Sequence, residues 1–76
     1  MPRITPIHWR KFEKFLFSVG CEFSRDKGGH RIYAYKNIPR PIVIPRDNAL
    51  PIFIIRNNLR LLNIDHEKFL SILNSL

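Results

Sequence analysis

The chain of 76 residues carries 13 Lys and Arg against six Asp and Glu, a formal charge of +7, and 45% of it is hydrophobic. It is one domain over residues 1–76, too short for a second and too apolar for a disordered basic tail. So strong a positive field narrows the partners to nucleic acid, an acidic protein or an anionic membrane, and the composition leaves no place for a chain-spanning membrane helix.

Met1-Pro2-Arg3-Ile4-Thr5-Pro6 lacks the uninterrupted apolar run of a secretory leader, so a cytoplasmic protein is expected. Thr5 and Pro6 predict a helix start, with the hydroxyl as cap, Pro6 in the first turn, and Ile4 and Trp9 as a hydrophobic staple. Trp9, Phe12, Leu16 and Val19 then recur at helical spacing. Phe15 widens the stripe, Phe17 lies off it, and Arg10, Lys11, Glu13 and Lys14 are assigned to the solvent side. Gly20 ends the helix. Cys21 has no second cysteine to pair with and no ligand spacing to His8, His30 and His66, so it is read as a small buried residue, and no metal site or cofactor is expected.

Beyond Gly20 the period changes. Cys21 to Asp26, His30 to Tyr35 and Pro41 to Pro45 predict three strands, joined by Lys27-Gly28-Gly29 and by Lys36-Asn37-Ile38-Pro39-Arg40. On the second strand His30, Ile32 and Ala34 share one face, while Arg31, Tyr33 and Tyr35 share the other. We expect the helices to cover the face of Ile32 and Ala34 and to leave the tyrosine face open. Arg46-Asp47-Asn48-Ala49 is a polar loop, and the apolar run that ends in Ile55 is broken by Pro51 and too short to cross a bilayer. Ile52, Ile55, Leu59 and Leu62 favour a helix over a strand there. Asn63 would end it, and Asp65 would cap a short final helix carrying Phe69, Leu70 and Leu73. His66, in its first turn, reads as a surface residue.

The resulting order, α-β-β-β-α with a short C-terminal helix, describes an α+β fold with a three-stranded antiparallel sheet and helices on one face, as in double-stranded-RNA-binding domains. Within it, Arg25-Asp26-Lys27-Gly28-Gly29-His30-Arg31-Ile32-Tyr33 concentrates the chemistry. A glycine pair frees the backbone for a tight turn, and a histidine at its mouth takes or gives a proton near neutral pH. Arg25, Lys27 and Arg31 would hold a polyanion beside it.

These residues give the chain its resemblance to the HicA, or YcfA-like, family of small bacterial and archaeal toxins. The resemblance covers most of the chain: a first helix ending at Val19-Gly20, the signature Arg25-x-Lys27-Gly28-x-His30-x-x-Tyr33, a strand running into Ile44-Pro45, and the helix of Ile55 and Leu59. It implies the toxin of a type II toxin–antitoxin pair, an mRNA interferase acting as a metal-independent endoribonuclease, and a HicB-type antitoxin as partner. The family's catalytic histidine falls on His30. RNA (mRNA) would be held by Arg25, Lys27, Gly28, Gly29, Arg31, Tyr33 and Arg46, with the free toxin a monomer. The chain differs from the family in having Gly29 where serine is common and Asp47 where a histidine is often found. Two other readings are open at this point, a non-catalytic RNA-binding module and a degenerate toxin kept as a protein-interaction partner. The binding module parts from the nuclease at His30, and the degenerate toxin, suggested by Gly29 and Asp47, would bind an antitoxin without inhibiting growth.

Overall fold

A computed structural model describes residues 3–36 and 38–76; Met1 and Pro2, and Asn37 of the expected second turn, lie outside the described residues. The elements are α1 (Trp9–Ser18), β1 (Glu22–Lys27), β2 (His30–Ala34), β3 (Ile42–Pro45), α2 (Ile52–Leu62) and α3 (His66–Asn74). The strands form one antiparallel sheet in the order β1-β2-β3. The fold is α+β, with the element order read from the sequence.

Helix α1 starts three residues later than the Thr5-Pro6 pair predicts, at Trp9 in place of Pro6. His8 is the N-cap, its Nδ1 accepting from the Arg10 amide at 3.1 Å. The reason is a tertiary tie: the Leu50 amide donates to the Ile7 carbonyl at 2.7 Å and the Trp9 amide to the Asp47 carbonyl at 3.0 Å, which holds the preceding segment extended against the loop after β3. Ile7 and Phe12 therefore occupy the positions flanking the cap, in place of Ile4 and Trp9.

Phe12, Phe15 and Leu16 are fully buried, and Phe15 meets Phe69 of α3 edge-on at 4.8 Å between ring centroids. Helix α2 contributes Ile55, Leu59 and Leu62. It ends at Asn63, which adopts the left-handed conformation at φ 57°, and Asp65 caps α3 by accepting from the Lys68 amide at 2.8 Å. Buried Asn58 donates from Nδ2 to the Val43 carbonyl at 3.4 Å, tying α2 to β3. Cys21 is buried beside this core, and burial pushes its thiol up to about 11.

The helices cover the sheet face of Arg31 and Tyr33, which reverses the expectation for the two faces. Register explains the reversal. Tyr33 pairs with Ile42 and Arg31 with Ile44, so both isoleucines of β3 fall on the tyrosine face, where Tyr33, Ile42 and Ile44 are all fully buried. The other face has Val43, exposed, beside Ile32, which stands outside the main core. A face is chosen by the apolar area that all the strands present together, and Ile32 and Ala34 on one strand were outweighed.

Candidate functional site at the hairpin end

Gly28 and Gly29 have φ of 59° and 84°, and they form a two-residue turn that brings Lys27 opposite His30. Positive φ at both central residues is the requirement of a tight hairpin with the natural strand twist, and glycine meets it without steric cost. His30 is exposed at the first position of β2, paired on its other side with Pro45.

A β-bulge decides which residues accompany it. Phe23 pairs with Tyr33, yet Ile32 pairs with Arg25, so Ser24 is an extra residue in β1. Strict alternation would have put Phe23, Arg25 and Lys27 on one face. Past the bulge, Arg25 and Lys27 join His30, Ile32 and Val43 on the face away from the helices, and Phe23 and Asp26 join Tyr33 and Arg31 on the covered one. A depression of about 260 Å³ continues the row beyond Arg25 and Ile32, lined by Ala34, Ile38, Pro39 and Arg40.

Arg31 and Tyr33 are committed elsewhere. The Arg31 guanidinium meets Glu13 of α1 through Nη2 at 2.7 Å and Nε at 2.9 Å, and Nε also donates to the Tyr33 oxygen at 3.1 Å. Tyr33 in turn donates to the same Glu13 oxygen at 2.5 Å. Burial first, then this bond to Glu13, pushes the phenol up to about 12, so it stays protonated as a donor inside the fold. Tyr33 is fully buried and has no ring face for a base, which corrects its assignment to an open RNA-contacting surface. Glu13 likewise turns toward the sheet and not toward solvent. Its position between Trp9 and Phe17, at i−4 and i+4, was the available signal, because that spacing aligns all three on one helix face.

Arg46 lies on the helix side, ion-paired with Asp26 across the start of β2. Trp9 completes this side, half-buried, with guanidinium carbons of Arg10, Arg31 and Arg46 at 5.3, 5.2 and 5.9 Å from its ring centroid. Among the described residues no three His, Cys, Asp or Glu side chains gather as a metal site would need. The fold thus brings His30, Lys27, Arg25 and the two glycines together and separates Arg31, Tyr33 and Arg46 from them.

The model of the family described as "HicA toxin of bacterial toxin-antitoxin" matches residues 9–64. The chain belongs to the HicA toxin family. The match runs from the first residue of α1 through the end of α2, and it includes the whole hairpin that presents His30. Membership in a toxin–antitoxin family implies an antitoxin partner for this HicA chain. No curated protein and no solved structure matches it. None of its helices among the described residues is long and apolar enough to cross a membrane.

Proposed function

We propose that this HicA chain is a metal-independent endoribonuclease that cleaves mRNA in the cytoplasm, with His30 as general acid/base, and that a HicB-type antitoxin neutralises it. The observation that carries the reading is an exposed imidazole at a hairpin end, sharing one sheet face with Lys27 and Arg25, in a member of a toxin family.

RNA supplies its own nucleophile. His30 takes the proton of a 2′-OH, and the 2′-oxygen attacks the adjacent phosphorus. The P–O5′ bond breaks, leaving a 2′,3′-cyclic phosphate, and the proton held by His30 passes to the departing 5′-oxygen. Charge building on the phosphorane is met by Lys27 and Arg25, and the glycines let the backbone of the RNA approach closely. Arg31 and Tyr33 act here by holding β2 to α1. The antitoxin, acting on the free monomer, would mask the same basic surface.

The test is cleavage of end-labelled single-stranded RNA by the wild-type chain and by His30→Ala, each with and without EDTA. Cutting that survives EDTA and is lost in His30→Ala, with RNA binding retained, supports the proposal. Binding by both without cutting by either would replace it with the non-catalytic RNA-binding reading.

A further inference from the structure

The geometry points to a second RNA contact on the helix side of the hairpin: Arg10 and Arg46, steadied by Trp9, form a clamp for backbone phosphates next to the scissile one. The inference rests on the RNA-cleaving reading for its substrate.

Three guanidinium groups lie within 6 Å of one indole ring, at the same end of the sheet as His30. Their functions differ. Arg31 is spent on Glu13 and Tyr33. Arg46 pairs with Asp26 yet keeps its side chain 49% exposed, and Arg10 is exposed with no ion pair among the described residues. Glu13 and Asp26 already offset two of the three charges, which leaves Arg10 and the exposed part of Arg46 to meet an arriving anion. The indole restrains the guanidinium planes, so less side-chain freedom is lost when they bind a phosphate in two-pronged fashion.

Connectivity supplies the reach. Arg46 follows Pro45, the residue that pairs with His30, and its side chain passes to the opposite side of the sheet to meet Asp26. A strand whose scissile phosphate sits at His30 therefore has its neighbouring phosphates led around the hairpin end toward Arg46 and then Arg10. RNA fits this surface better than a protein face, because arginines on an aromatic platform meet phosphates and bases at once.

The test uses a His30→Ala background, which spares the RNA, and measures binding to a single-stranded RNA across a salt titration. Adding Arg10→Ala and Arg46→Ala is expected to reduce the slope of log affinity against log salt by about 1.4 and to weaken binding ~25-fold at 0.1 M salt, two phosphate contacts' worth. A control carrying Lys14→Ala and Lys68→Ala removes equal charge from elsewhere and should change the slope little. Equal slopes for the two double variants would overturn the clamp and leave a diffuse field. Cleavage by the wild-type chain is scored separately: if it cuts while the slopes are equal, only the clamp falls, and if it does not cut while the Arg10/Arg46 slope alone drops, the nuclease reading falls and the clamp stands. Absence of any RNA binding would end both.

Discussion

The two faces of the sheet come from the same strands and do opposite things. One is sealed at its centre: Tyr33, Ile42 and Ile44 lie under the helices, and the charged Arg31 beside them is locked to Glu13. The other is open and carries His30, Lys27 and Arg25 beside Ile32, Ala34 and Val43. Alternate residues of β2 are thus divided between a structural network and the exposed row proposed to act on RNA, one peptide unit apart in the chain. What separates them is pleat parity, and parity is sound only while the covered face holds the strand in register.

The contrast is sharpest at His30. His30→Ala should lower RNA cleavage at least a hundredfold, the usual contribution of a positioned general acid/base, while leaving the melting temperature within a degree or so because the side chain is exposed. A comparable loss of stability would show that the open face is structural as well. On the sealed face the roles reverse. Tyr33→Ala should cost about 3–5 kcal/mol in urea unfolding, as expected for emptying a buried aromatic site, and a smaller effect would mean that the cover over β2 is loose.

Glu13→Ala tests the lock itself. It strips Arg31 and Tyr33 of their shared acceptor, and a loss of about 1–3 kcal/mol is expected by chemical denaturation. Near-zero cost would place the pair among ordinary surface ion pairs. Gly29→Ser restores the residue common in the family at a φ of 84°, with open space around the new Cβ, so the penalty is conformational alone, about 1 kcal/mol. No penalty would mean that the turn relaxes to another type.

Alkaline titration probes the buried groups without a substitution. Cys21 and Tyr33 have pKa values raised from 9.0 and 10.0 to about 11 and about 12, so the fold favours their protonated forms. Stability should be complete below pH 9, then fall as the pH rises through 11 and 12. Cys21→Ala should delay the onset toward pH 10, where Tyr33 begins to titrate when unfolded. Unchanged urea midpoints between pH 8 and 12 would contradict the burial of both groups.

Local signals were legible wherever one element determined the outcome. The helical stripe identified Phe12, Phe15 and Leu16 as core, the glycine pair marked the hairpin, and Asn63 and Asp65 marked the end of one helix and the start of the next. The spacing of Ile55, Leu59 and Leu62 rightly outweighed the strand propensity of the isoleucines. What alternation on β2 could not tell was which face the helices would choose, since that depended on the register of β3. The Ser24 bulge was equally hidden, because an extra residue in one strand shows only against its partner. Together these two features redistributed the expected RNA-binding residues, leaving Arg25 and Lys27 beside His30 and drawing Arg31, Tyr33 and Arg46 to the other side.

The bulge also bears on how the chain behaves in a crowded solution. β1 is an outer strand whose six residues are all exposed, the kind of edge on which a second copy can add a strand of its own. Ser24 interrupts the regular spacing of that edge, and Arg25, Asp26 and Lys27 line the remainder with charge. The extra residue that sets Arg25 and Lys27 beside His30 thereby also blunts the edge against copies of itself.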